Sequence, residues 1–382
     1  MDPQELGFRI RQIRSSRRMT QQAVADKAGI TRLAYMKIER GESAPRVSTL
    51  QGIAAALDVK TVDLLVPAGR LEHVRFRSSK RMTGRDALLA VVARWLEDYR
   101  SLEEILQEKQ EYRFDGYVCG PTEGIDRLDR ARQIAADARS RLGLDRREPV
   151  RDIAGLIESC GIKLFTTRFT SDGFFGMSVT GGDGGPAIIV NTWERIPVER
   201  WIFTAAHELG HLLMHLDSYR VEILEENAEQ EEEANLFASM FLMPEESFQS
   251  EWADSCGLPL VKRVLKVKRI FHVSYKSVLC RLADVYGEEI WKKFYLLYKR
   301  DYGFSWSGRE EMEGVGVGAF RHAPENHRAK EKETLSDSDF RDDRPARLVR
   351  MAIESGLISI SRGAEILRTD LSGMRSMIAA WV

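Results

Sequence analysis

The sequence has few cysteines and no paired thiol motif. Four are scattered over 382 residues, at Cys119, Cys160, Cys256 and Cys280, and no two of them form a C-x-x-C pair. This spacing argues against both a disulfide framework and a thiolate zinc site, and it predicts buried or free thiols.

The sequence also lacks an apolar run of about 20 residues, which a membrane-spanning helix needs. Its N-terminus carries no signal-peptide core behind its charges, so we expect a cytoplasmic protein. The composition, 43% hydrophobic and 30% charged, is that of an ordinary globular protein. A chain of 382 residues most naturally divides into two or three domains.

A strong net charge is missing as well. The formal charge is -1, which excludes a global attraction to nucleic acid. The charge is nevertheless uneven, because residues 1–70 hold 12 Lys and Arg against 7 Asp and Glu, whereas "EILEENAEQEEE" at 222–233 is strongly acidic. Partners must therefore be inferred segment by segment.

Residues 5–66 predict a series of short amphipathic helices. The stretch "TQQAVADKAGI" begins at an N-cap, Thr20, and stops at Gly29, and "TRLAYMKIERG" begins at Thr31 and ends at Gly41. Two short helices joined through a glycine form the helix-turn-helix pattern, in which the second helix enters the major groove of DNA.

The stretch "TQQAVADKAGITRLAYMKIERGESAPRVSTLQGIAAAL" resembles the Cro-type (XRE) helix-turn-helix family, over about the first sixty-five residues. The resemblance implies a double-stranded DNA operator as partner. It also implies DNA contacts from Gln21, Thr31, Arg32, Leu33, Lys37, Arg40 and Arg46.

Among these side chains, Arg32 is chemically suited to guanine and Gln21 to adenine, whereas Arg40 and Arg46 suit phosphates. We expect a homodimer, because one module contacts only a half-site. The alternative interpretation is a helical interaction module that uses the same fold without DNA.

The stretch "AAHELGHLLMH" (205–215) lies on a helix predicted from Pro197. His211 is the fourth residue after His207, which places both imidazoles on one helical face where a single tetrahedral zinc can bridge them. Glu208 lies beside the metal position and suits a general base acting on water. Such a site needs a third protein ligand.

His215 does not suit that role, since eight residues of helix rise by about 12 Å from His207. We expect it to be a buried polar residue or a partner of a ligand, and we also set Asp217 aside.

The second acidic helix, "EQEEEANLFASMFLMP" (229–244), offers better candidates. Glu231 is favoured because Asn235, one turn later, could orient His207 or His211. Glu232 and Glu233 are close rivals that the spacing does not exclude.

A β-hairpin is predicted before these helices, from "GFFGMSV" and "GGPAIIVNT" around a glycine-rich turn. One edge, "GMSV" or "AIIV", could hold an extended substrate by strand addition.

"TAAHELGHLLMH" followed by "EEEANLFASMFLMP" resembles the ImmA/IrrE family of zinc metallopeptidases, over roughly residues 150–300. The resemblance implies a gluzincin-like site with Zn²⁺ held by His207, His211 and Glu231, and Glu208 as catalytic base. It also implies a small helix-turn-helix-like subdomain near 260–285.

The expected fold class is α+β, mainly α, with a five-helix N-terminal domain, a zincin-like domain with a small antiparallel sheet, and a C-terminal helical module. The expected domains are 1–68 (DNA-binding), 69–145 (helical linker or dimerisation region), 146–300 (metallopeptidase), 301–344 (polar connector) and 345–382 (helical module).

Two functions are consistent with this organisation. The first is a transcription regulator whose zinc-dependent hydrolase domain, an endopeptidase, cleaves a repressor or another regulatory protein, or itself. By resemblance it would control mobile-element, toxin-antitoxin or stress-response genes. The second is a non-proteolytic transcription factor or antitoxin whose zincin-like domain senses a ligand or binds a partner.

Overall fold

The structure is a computed structural model that describes residues 2–17, 19–59, 61–65, 71–78, 85–117, 124–171, 173–221, 227–303, 311–322, 325 and 327–381. Cys119, the predicted boundary at 68/69, residues 222–226 of the acidic run and residues 304–310 of the predicted connector lie outside this part of the chain.

The described helices are α1 (Pro3–Ser16), α2 (Gln21–Lys27), α3 (Arg32–Glu39), α4 (Val47–Ala56), α5 (Thr61–Leu65), α6 (Arg85–Leu106), α7 (Arg127–Arg141), α8 (Ile153–Ser159), α9 (Val198–Met214), α10 (Ala228–Leu242), α11 (Glu245–Asp254), α12 (Leu260–Phe271), α13 (Tyr275–Tyr286), α14 (Glu289–Tyr302), α15 (Asp343–Glu354), α16 (Ile360–Ile366) and α17 (Leu371–Ala379). The described strands are β1 (Val74–Ser78), β2 (Lys163–Thr167), β3 (Phe174–Val179) and β4 (Ala187–Asn191). The mainly helical α+β class is confirmed. No helix in the described part of the chain is long and apolar enough to cross a membrane.

The five N-terminal helices enclose a core of their own, as predicted. Thr20 and Thr31 cap α2 and α3, accepting backbone N–H bonds from Ala23 (3.1 Å) and Ala34 (3.2 Å). Between the two helices Gly29 has φ 68°, a conformation that glycine adopts without strain. Local capping therefore fixes the turn that the sequence predicts.

The four strands form one mixed sheet in the order β1-β3-β4-β2. β3 runs antiparallel to both β1 and β4, but β2 and β4 are parallel. The predicted antiparallel sheet is therefore wrong in this respect, because the β3–β4 hairpin folds back so that β4, not β3, lies beside β2. β1 comes from the segment that was expected to be a helical linker.

Helices cover both faces of the sheet. On β4, Ile188 and Val190 belong to the core shared with α8 and α9, while Ala187 and Ile189 belong to a second core under α6 and α15. Trp95 of α6 stacks on Phe165 of β2, with ring centroids 4.7 Å apart. The buried side chains of α6 thus pack within this chain.

The C-terminal helices α16 and α17 reproduce the turn between α2 and α3. Thr369 donates its N–H to Ala364 O at 3.0 Å, as Ile30 does to Ala25 O at 3.0 Å. Arg368 has φ 55°, in the place of the glycine between α2 and α3. A side-chain cap, Asp370, begins α17. The last module therefore repeats the turn of a helix-turn-helix in backbone geometry.

The described residues of the polar stretch after α14 pack against the helical core. The Arg269 guanidinium of α12 donates to the carbonyl oxygens of Glu331 (2.5 Å), Val315 (2.5 Å) and Ala329 (2.9 Å). One buried guanidinium thus binds the backbone of this stretch at three places. These bonds hold the stretch against the core despite its polar composition.

Helices α9 and α10 pack closely where Gly210 faces Phe237. A Cβ on Gly210 would lie 2.8 Å from Cδ1 of that buried ring, which is closer than carbon atoms normally approach. On the other side of α10, Arg139 of α7 donates to Phe241 O at 2.6 Å. α10 is therefore held between α7 and α9, with its acidic first turn over α9.

Gly210→Ala should separate α9 from α10 and destabilise the protein by about 1–3 kcal/mol, the usual cost of overpacking a core. The free energy of urea unfolding, followed by circular dichroism, measures this. Gly257→Ala is the matched control, because a Cβ there meets nothing within 4 Å. Equal stability of the two variants would contradict the close packing.

Candidate metal centre and DNA-binding face

Two imidazoles and one carboxylate converge at the α9–α10 contact. His207 Nε2 and His211 Nε2 lie 2.9 Å apart, and the Glu231 carboxylate oxygens lie 3.2 Å and 3.1 Å from them. Both histidines are buried, and Glu231 is 15% exposed. In the described part of the chain, this is the one group of His, Cys, Asp and Glu whose ligand atoms cluster in this way.

The other ring nitrogen of each histidine is engaged by a neighbour. Asn235 Oδ1 lies 3.0 Å from His207 Nδ1, and an amide oxygen only accepts, so that Nδ1 carries the proton. On the other side, His211 Nδ1 lies 2.8 Å from His215 Nδ1, and His215 Nε2 lies 2.7 Å from Glu233 Oε2. His215 therefore donates to Glu233, and His211 donates to His215.

This hydrogen-bond pattern leaves lone pairs, not protons, on the two facing Nε2 atoms. The Glu231 carboxylate adds further lone pairs to the same space. Three groups with lone pairs that approach this closely suit a cation among them, which each can bind as a ligand. Two imidazole nitrogens and a carboxylate are also a donor set that zinc commonly takes, so the residues fit the metal that the family resemblance implies.

Burial and mutual charge set the protonation of these groups. Burial, with the positive charge that His207 would carry, lowers the pKa of His211 well below its ordinary value. For Glu231, burial alone would raise the pKa, and protonated rings at His207 and His211 would instead hold that pKa far below its usual range. Neutral rings and an ionised carboxylate are the forms that bind metals.

Glu208 is fully buried beside this cluster, on the side of the sheet. Ser178 of β3 donates its hydroxyl to Glu208 Oε2 at 2.6 Å, and Tyr219 OH lies 2.7 Å from the same hydroxyl. The alternation of β3 could have indicated that Ser178 faces α9. Tyr219 follows the end of α9, and no sequence pattern pointed to it.

Arg75 of β1 is a further site residue that the sequence did not indicate. Its guanidinium donates to Glu231 Oε1 at 3.1 Å and to Gln230 Oε1 at 2.6 Å. It lies far from both helices in the sequence, and only the pairing of β1 with β3 brings it here. No local motif could have identified it.

The rival carboxylates have other partners. Glu232 points outward to Arg127, and Glu233 binds His215. Asp217 is exposed, beyond the residue that ends α9, His215. Of the three acidic residues left open by the spacing, the structure brings Glu231 to the two imidazoles.

The predicted DNA-contact residues on and beside α3 are exposed. They include Thr31, Arg32, Lys37 and Leu33, whose exposed fraction is 59%. An apolar side chain in this position suits contact with a thymine methyl group.

The remaining predicted DNA-contact residues differ in the solvent exposure of their side chains. Arg46 is exposed, and Arg40 lies 3.7 Å from Glu42 in a solvent-facing ion pair. Gln21, in contrast, is half-buried, and its side-chain amide donates to Glu39 Oε2 at 2.7 Å. A contact from Gln21 to adenine through that amide would require this bond to break.

Comparison with known proteins identifies both regions. Residues 10–64 match a family described as helix-turn-helix, and residues 157–283 match a peptidase family described as the IrrE N-terminal-like domain. The uncharacterised HTH-type transcriptional regulator YqaE of Bacillus subtilis is 33% identical over 98 residues, which are 26% of this chain and 80% of the relative.

The chain therefore belongs to the Cro-type (XRE) helix-turn-helix transcription regulators, and it carries an IrrE N-terminal-like domain fused downstream. The helix-turn-helix domain implies DNA binding. A solved structure, the apo form of the competence regulator ComR from Streptococcus vestibularis, aligns over 80% of this chain and 100% of that chain at 13% identity. Its TM-score of 0.17 is too low to indicate a shared fold.

Asn235→Ala should weaken metal binding by about 10–100-fold, because the acceptor that orients His207 is lost. Asn235→Asp is the matched control, since it keeps an acceptor oxygen in the same place. Titration with Zn²⁺ against a chromogenic chelator measures the affinity. Equal affinities for the two variants would show that Asn235 does not orient the ring.

Proposed function

We propose that the chain is a DNA-binding transcription regulator with a zinc-dependent endopeptidase site. His207, His211 and Glu231 hold the zinc, and Glu208 is the catalytic base. The convergence of two imidazole Nε2 atoms and one carboxylate, each able to turn a lone pair toward the others and within ligand distance of a common ion, carries this proposal.

The chain's own groups suit peptide hydrolysis. Zinc supplies Lewis acidity, which makes water a stronger acid and polarises a peptide carbonyl. Glu208 accepts the proton of the attacking water at its carboxylate and returns it to the leaving amine. The Ser178 hydroxyl, which donates to Glu208 Oε2, fixes the direction of that carboxylate.

The DNA-binding domain suggests what the site cleaves. A peptidase fused to a transcription regulator is suited to a regulatory protein as substrate, such as a repressor or this chain itself. Cleavage would relieve repression of mobile-element, toxin-antitoxin or stress-response genes. We also propose that the chain acts in the cytoplasm as a homodimer on a two-half-site operator, because one α3 reads one half-site.

A non-proteolytic regulator is the second candidate, in which the same domain senses a ligand or binds a partner. One observation favours it: β1 is paired with the outer edge of β3, the strand whose Ser178 bonds to Glu208. Such a protein would bind zinc without turning over a substrate.

Glu208→Gln should lower cleavage by about 10²–10⁴-fold, because it removes the base but keeps the shape of the side chain. Zinc content by elemental analysis and operator binding should not change. Cleavage is followed by mass spectrometry of candidate substrate proteins and of the chain itself. A variant as active as wild type would contradict the role of Glu208, and zinc-free wild type would contradict the site.

Arg32→Ala should weaken operator binding by about 1–3 kcal/mol, the usual value of a base-edge contact. Fluorescence anisotropy with the DNA upstream of the chain's own gene measures it. Arg347→Ala is the control, because it removes an exposed arginine on α15, outside this domain. Unchanged affinity of the Arg32 variant would count against α3 as the reading helix.

A further inference from the structure

The outer edge of β3 is the place where an extended peptide would meet Glu208. Ser178 of β3 bonds to that carboxylate, and a Cβ on Gly176 would lie 3.6 Å from Glu208 Cγ. Peptides commonly bind by adding a strand to a sheet edge of this kind. β4 offers no such edge, because β3 and β2 flank it.

β1 already fills the edge of β3. Arg75 is paired with Ser178, and Arg77 is paired with Gly176. Thr180 donates its N–H to His73 O at 3.2 Å, and hydrogen-bonded pairs alternate along an antiparallel ladder. The residues that exchange backbone hydrogen bonds with β3 are therefore Arg75 and Arg77, the two that are paired with the neighbours of Glu208.

The Arg75 side chain fastens β1 to α10. Its guanidinium donates one hydrogen bond to the Glu231 carboxylate and one to the Gln230 amide oxygen. Only 9% of the side chain is exposed. Such bonds to a carboxylate are stronger than bonds between neutral groups. Any peptide that displaced β1 would remove the Arg75 hydrogen bonds from these two acceptors unless it brought a similar cation.

A second attachment fixes the beginning of β1. Asp183, in the turn between β3 and β4, accepts the backbone N–H bonds of Glu72 (2.7 Å) and His73 (2.6 Å) with one oxygen. β1 is thus aligned on β3 from its first residue.

The DNA-binding domain lies before this strand in the sequence. α5 ends at Leu65 before β1, and α6 follows β1. α1 of that domain packs on α6, where Arg9 and Glu97 form an ion pair of 3.2 Å. β1 therefore lies, in the sequence, between the DNA-binding domain and the helix on which that domain packs.

We propose that β1 is an autoinhibitory strand. In the resting chain β1 occupies the peptide-binding edge of β3. When β1 is released, an extended segment of a protein substrate takes its place, with an arginine of that segment paired with Ser178. This inference rests on the proposed peptidase site, but the occupation of the edge can be measured without turnover.

The test uses two full-length variants that differ only in one backbone N–H. Arg77→Pro removes the donor paired with Gly176, whereas Arg77→Ala removes the same side chain and keeps the donor. The probe is an end-blocked fluorescent peptide of residues 72–79, EHVRFRSS. It should bind the Arg77→Pro chain about tenfold more tightly than the Arg77→Ala chain or wild type, about what one lost hydrogen bond contributes.

The peptide titration is followed by fluorescence anisotropy on metal-free protein. Two further measurements test the same proposal. The same peptide with alanine in place of Arg75 should bind the Arg77→Pro chain more weakly. Backbone amides of β3 should exchange hydrogen faster in that chain than in Arg77→Ala, while α9 stays protected. If the amides of α9 also exchange faster in the Arg77→Pro chain, the Arg75→Ala chain replaces it in the peptide titration and in the hydrogen-exchange measurement.

Equal peptide affinity in all chains, with equal exchange in β3, would overturn the autoinhibitory strand. So would cleavage by wild type as fast as by the Arg77→Pro chain. Failure of the peptidase proposal looks different: the released chain would bind the peptide tightly, with zinc present, and leave it uncut.

Discussion

The close packing of α9 on α10 is the constraint on which the rest of the site depends. Gly210 lets the two helices approach until Phe237 lies where a larger residue would put its Cβ. The Asn227 side chain begins α10 by accepting N–H bonds from Glu229 and Gln230. Together these features place the first turn of α10, and so the Glu231 carboxylate, opposite two imidazoles on α9.

The polar groups around this contact are arranged as a connected chain. Glu233, His215 and His211 are linked on one side, and Asn235 holds His207 on the other. Buried polar groups cost free energy unless they are paired, and Nδ1 of His207 and of His211 each has a partner, while the Nε2 atoms of both rings face Glu231. The same arrangement explains why His215 belongs to the site without reaching its centre.

The sheet connects the metal centre to the DNA-binding domain. Its first strand, β1, comes from the segment after α5, and its second face is covered by α6, on which α1 packs. Residues from the predicted linker thus complete the sheet of the peptidase-like domain. The two family matches, 10–64 and 157–283, leave this shared segment between them.

Features that depend on neighbours along the chain follow from the amino-acid sequence alone. Thr20, Gly29 and Thr31 specify the helix-turn-helix, and the four-residue spacing of His207 and His211 puts both on one helical face, because caps and helical periodicity are local. Spacing left Glu231, Glu232 and Glu233 as alternatives, since one residue turns a side chain by about 100° and only the packing of α10 decides the direction. The parallel pairing of β2 with β4, and the arrival of Arg75 at Glu231, were likewise decided by tertiary structure, because strand pairing joins segments that share no local signal.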